Sequence, residues 1–123
     1  MKRVNYQRLT VDELVQHFAS LALEQDDALL DGDISKINRL FWRLEAAEAE
    51  LKARDGDQRR ALLKLYDHPN AQVRLKATKA TLAVAPEAAR RMLETIAESG
   101  ELPQSGEAGM SIRNLDRGIF KPT

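Results

Sequence analysis

Cysteine is absent from the 123-residue chain. That excludes disulfides and thiolate metal sites, and makes a reducing compartment fully compatible. Aromatic residues reach only 5%, few for stacking against nucleic-acid bases. The two histidines, His17 and His68, fall on different segments and outside any H-E-x-x-H pattern, so no metal or cofactor site is expected. No apolar run approaches the roughly 20 residues that a membrane-spanning helix needs. The opening MKRVNYQRLTVDELV carries early positive charge with no apolar stretch behind it, so a secretory signal is not expected either. An excess of either charge is missing too, with 19 basic against 19 acidic residues. These absences point to a cytoplasmic protein of bacterial type with no membrane attachment.

What is present is helical. The hydrophobic share of 43% and charged share of 31% belong to a folded chain in water. Alanine is prominent, and it is the residue that costs least in a helix. Thr10-Val-Asp-Glu13 has the form of a capping box, followed by Val11, Leu14, Val15, Phe18 and Ala22 at helical spacing. In Asp31-Gly32-Asp33, Gly32 suits a helix end and Asp33 suits the next cap. The second helix carries Ile34, Ile37, Leu40, Phe41, Leu44 and Leu51, and ends at Arg54-Asp-Gly-Asp57. A short third segment holds Leu62, Leu63, Leu65 and Tyr66; a fourth runs from Ala71 to about Val84. The fifth opens on Pro86, preorganised for a first helical turn, with Ala89, Met92, Leu93 and Ile96 as its stripe. Residues 99–106, SGELPQSG, read as a loop before a last helix with Ala108, Ile112 and Leu115. No segment alternates with period two, so the fold class is all-α with about six helices.

The fourth helix is unusual. At about 100° per residue, Val73, Ala77, Ala80 and Val84 share one arc while Leu75 and Leu82 fall opposite. Two apolar stripes require cover on both faces. The turn before it is specific too: Pro69 keeps His68 out of helical geometry, Asn70 caps, and Arg74 is within reach of Asp67 across the bend. Asp67, Pro69, Asn70 and Arg74 are therefore assigned to the turn and not to binding.

Residues 62–93, LLKLYDHPNAQVRLKATKATLAVAPEAARRML, carry a resemblance to a HEAT-type helical repeat. A first helix ends near Asp67, Pro69 and Asn70 make the turn, Val73-Arg74 open the second helix, Ala77 and Ala80 point inward, and Pro86-Glu87 begin the next unit. From DALLDGDISKINRLFWRL to GIFKPT, the chain is similar to a family of short bacterial HEAT-like proteins of undefined activity. The resemblance implies an armadillo-type α-α superhelix of three antiparallel hairpins, 10–54, 57–84 and 86–117, in one domain over 1–123. The alternative is a compact six-helix bundle.

No catalytic constellation stands out, and no small-molecule substrate is evident. The acidic stretch Glu24–Asp33 lacks the alternating oxygen ligands of a calcium loop, and reads as a capped helix end with a solvated face. Charge is segregated instead. Asp12 through Asp57 hold 12 acidic and 5 basic residues, whereas Gln58 through Met92 hold 8 basic and 2 acidic. Within the second stretch Arg59, Arg60, Lys64, Lys76, Lys79, Arg90 and Arg91 have no obvious local partner. Trp42 lies off the main stripe of its helix, either projecting as an anchor or packed at the hairpin seam. A non-enzymatic protein-interaction or adaptor module is expected, of immunity or antitoxin type in one variant, using Arg60, Lys64, Lys76, Lys79, Arg90, Arg91 and Trp42 against a protein partner or a second copy. Nucleic-acid binding through the basic middle is the competing reading.

Overall fold

The computed structural model describes residues 4–123, and among these residues every regular element is helical. Five α-helices occur: α1 (Val11–Asp31), α2 (Ile34–Ala53), α3 (Ala71–Thr81), α4 (Pro86–Glu98) and α5 (Gln104–Asp116). Two 3-10 segments accompany them, a single turn at Tyr6–Arg8 and a long one at Gln58–Asp67, which stands as the sixth helix. No helix among the described residues is long and apolar enough to cross a membrane. The chain divides into two compact units, residues 1–61 and 62–123.

The first unit is the α1–α2 hairpin with the Tyr6 turn laid along it. The expected capping box forms: the Thr10 hydroxyl accepts from the Glu13 amide at 3.1 Å, and Glu13 accepts from the Thr10 amide at 2.9 Å. Gly32 closes α1 at φ 69°, a left-handed conformation that a side chain would strain, and Asp33 caps α2 through the Lys36 amide. That tight link folds α2 back on α1, burying Leu14, Val15, Phe18, Leu21 and Ala22 of one and Leu40, Leu44, Ala47 and Leu51 of the other. Arg54 then straps the Tyr6 turn down, donating to the Tyr6 and Leu9 carbonyls at 3.1 and 2.7 Å while Glu50 holds its Nε at 2.6 Å.

In the second unit α4 and α5 pack together and both meet α3. Leu75 and Leu82 join Ala89, Leu93, Ile96 and Ala108 in one core cluster, so the first of the two stripes of α3 is covered. The opposite stripe, Val73, Ala77 and Ala80, is buried as well. On α3 the Thr81 hydroxyl lies 2.6 Å from that of Tyr66 in the preceding 3-10 segment. Buried Gln104 donates to Gln72 at 2.9 Å, anchoring the first turn of α5 to α3.

The helix expected to run to about Val84 stops at Thr81, and two further features differ from expectation. The 58–67 segment winds as a 3-10 helix because its buried residues recur every third position: Arg59, Leu62 and Leu65 share one face at three residues per turn. Residues 99–106 are not all loop, since α5 already begins at Gln104. The Gln104–Gln72 bond holds that turn in place despite Gly106.

Candidate interaction surface

The turn residues come together largely as read. Asn70 Oδ1 accepts from the Gln72 and Val73 amides at 2.9 and 3.1 Å, capping α3. His68 Nδ1 accepts from the Asn70 amide at 3.0 Å, which makes this histidine part of the turn. Arg74 does not use Asp67. Its guanidinium donates to the His68 and Pro69 carbonyls at 2.8 and 3.0 Å and reaches Glu101 at 3.1 Å. The carbonyls of the bend serve in place of that carboxylate.

Three of the seven basic residues expected to be available are engaged inside their own unit. Arg59 is buried, held at 2.7 Å by Asp57 with Glu48 at 3.9 Å. Lys79 pairs with Glu107 at 3.0 Å, joining α3 to α5. Arg90 grips Asp116 through two bonds, at 2.6 and 3.2 Å, and has Glu94 at 3.5 Å. Arg60, Lys64 and Arg91 sit on the exposed surface and Lys76 is half-buried. No single row of unopposed cations results.

His17 is likewise structural. Its Nε2 lies 3.4 Å from the Tyr6 hydroxyl, which donates to the Arg43 carbonyl at 3.5 Å. Burial lowers the imidazole pKa and raises that of the Tyr6 phenol. Both groups are thereby held neutral at neutral pH, suiting a clasp between the Tyr6 turn and both helices. Among the described residues no three His, Asp or Glu side chains gather as ligands for an ion. No buried side-chain polar atom there lacks a partner that would aim it into a cavity.

The surface that stands out is apolar and belongs to the first hairpin. Trp42 is exposed at 69%, not packed at the seam, with Phe41 against it edge-on at 5.2 Å. Ile34 is 70% and Leu30 81% exposed, and Leu23 and Phe41 are partly so. Of the apolar residues expected on the inner stripe of α2, Ile34 and Phe41 have turned outward.

These residues form one edge. Leu23 and Leu30 are two turns apart on α1, as are Ile34 and Phe41 on α2, so each pair shares a face. Residues equidistant from the Gly32–Asp33 link lie level, placing Leu30 beside Ile34 and Leu23 beside Phe41, with Trp42 about 100° further round α2 at the border of the edge. Tyr6, His17 and the Arg43 backbone mark the other edge. The charges divide the same way: α1 carries six carboxylates and neither lysine nor arginine, and Asp27, Asp31, Asp33 and Glu45 flank the apolar edge. Lys36, Arg39 and Arg43 project from α2 toward the Tyr6 side.

Residues 12–116 match a family described as a domain of unknown function, DUF2019. The chain is also similar to a solved structure, the crystal structure of the protein RPA1889 from Rhodopseudomonas palustris CGA009. The two are 53% identical with a TM-score of 0.95, the alignment covering 98% of this chain and all of the other. No curated protein matches.

Proposed function

The chain belongs to the DUF2019 family, and we propose that it is a HEAT-like, non-enzymatic protein-interaction module acting in the cytoplasm. The observation that supports this reading is the exposed apolar edge of the α1–α2 hairpin, where Leu30, Ile34 and Trp42 are each more than two-thirds exposed. Apolar groups held in water on rigid helices cost solvation that a docking partner relieves, at about 25 cal/mol per Å² covered. Tryptophan beside a second aromatic is the usual composition of an interface centre.

Affinity capture at physiological salt, with nuclease treatment and two baits, tests the reading. The natural chain is expected to retain a protein companion that an Ile34→Glu bait loses. Glutamate is well tolerated at the first position of a helix, so this variant folds. Recovery of nucleic acid alone, released by higher salt, supports instead a nucleic-acid-binding module using Arg60, Lys64 and Arg91.

A further inference from the structure

We infer that the partner of this hairpin edge is a basic amphipathic helix, which lays its apolar stripe over Leu30, Ile34 and Phe41 while its lysines or arginines meet the flanking carboxylates. The inference rests on the interaction-module reading and adds the chemistry of the occupant. The edge is apolar along its centre, with Leu23 and Leu30 on α1 level with Phe41 and Ile34 on α2. Its outline is acidic: exposed Asp27 and Asp31 border it on α1, Asp33 at the link and Glu45 one turn beyond Phe41 on α2. An apolar strip between two helices is the ordinary seat for a third helix, whose contacts recur at i, i+3, i+4 and i+7.

Charge selects among the occupants. An isologous dimer sets the same patch against itself, bringing Asp27 and Asp31 of both copies together with no cation to separate them. A head-to-tail dimer sets the edge against the second unit, where exposed Ile119 and Phe120 lie beside Arg117 and Lys121, and a dependence of the signal on protein concentration detects it. Nucleic acid and anionic lipid are repelled by the same carboxylates. A basic amphipathic helix satisfies both the strip and its rim.

The single tryptophan of the chain borders this edge with its ring against Phe41, so its emission reports the binding. The full-length protein is titrated with a helical leucine–lysine peptide of about 14 residues, leucines at i, i+3, i+4 and i+7. A leucine–glutamate peptide and a scrambled leucine–lysine peptide serve as controls. The amphipathic basic peptide is expected to shift Trp42 emission saturably, the scrambled one at least ~10-fold more weakly and the acidic one not at all. The paired change Asp27→Lys with Asp31→Lys is expected to weaken binding about 10-fold, and Ile34→Glu by a similar factor, each with unchanged circular dichroism.

Equal response to the scrambled peptide overturns the inference, because it reduces the edge to general charge attraction. So does a shift of Trp42 emission with protein concentration alone, which identifies a second copy as occupant. Silence of Trp42 up to millimolar peptide overturns it as well. None of these results touches the broader reading, which falls only if capture yields no protein that depends on Ile34.

Discussion

Glu48 shows how position decides the state of a side chain. It lies on α2, largely removed from water, with the Glu45 carboxylate one turn before it. Burial first and Glu45 second push its pKa up to about 7. Arg59 stands 3.9 Å away, but that is too long for a hydrogen bond, and its guanidinium is already spent on Asp57 at 2.7 Å. The attraction that the ion-pair distance suggests is therefore outweighed by desolvation. A carboxyl that holds its proton more tightly folded than unfolded loses ground as the solution becomes alkaline. Below its ordinary value near 4.5 it makes no difference to stability; from there to about 7 the unfolded chain ionises first, and stability falls. Glu48→Gln is thus expected to raise the melting temperature at pH 8 and to leave it nearly unchanged at pH 4. A lower melting temperature for the variant at pH 8 would show that the Arg59 contact dominates after all. Sequence patterning gave no hint of this group, since a glutamate on a charged helix ordinarily faces water. By contrast, the Asn70 cap was readable from its position before the first helical residue, because capping needs only neighbours in the chain.

At the scale of elements, the same division between local and distant causes separates what was legible from what was not. Helix starts and stops set by Thr10, Gly32, Asp33 and Pro86 follow from chemistry within a turn, and the structure has them where the residues indicate. The double stripe of α3 was visible as periodicity, and its two sides are both buried. The 3-10 winding of 58–67 was written in the threefold spacing of Arg59, Leu62 and Leu65, but an arginine among core positions hides that signal. The early start of α5 depends on Gln72, 32 positions away, which no local rule reaches.

Lys79 makes the point testable. Sequence alone makes it a candidate binding residue; in the structure it joins α3 to α5 through Glu107. Lys79→Glu is expected to lower stability by up to about 1 kcal/mol, the modest worth of an exposed pair plus the new repulsion. Adding Glu107→Lys restores the pairing with its signs exchanged and recovers most of that loss in denaturant unfolding. If the double variant is no better than the sum of its parts, the pair carries no coupling.

Over the whole molecule, charge looks different once partners are known. A window from Gln58 to Met92 contains eight bases and two acids, and suggests a positively charged middle. The acids that answer those bases lie beyond its end: Glu101 for Arg74, Glu107 for Lys79, Asp116 for Arg90. Counted over the complete second unit, residues 62–123, nine bases face seven acids. The asymmetry that survives is the acidic first helix, with its six carboxylates. That shifts the weight of any electrostatic recognition from the basic middle to the first hairpin, and from a phosphate backbone to a cationic partner. Fluorescence anisotropy with a labelled DNA duplex measures the consequence. Binding at physiological salt is expected to be weaker than about 10⁻⁴ M, the weak end of non-specific association, because 19 bases balanced by 19 acids leave no net positive charge to hold a phosphate backbone. A steep fall of affinity with rising salt, from a tight complex at low salt, would mean that several of those ion pairs open to contact phosphates. In that event Lys79→Glu and Arg90→Glu would each flatten the salt dependence, the slope changing by about one for every phosphate contact removed.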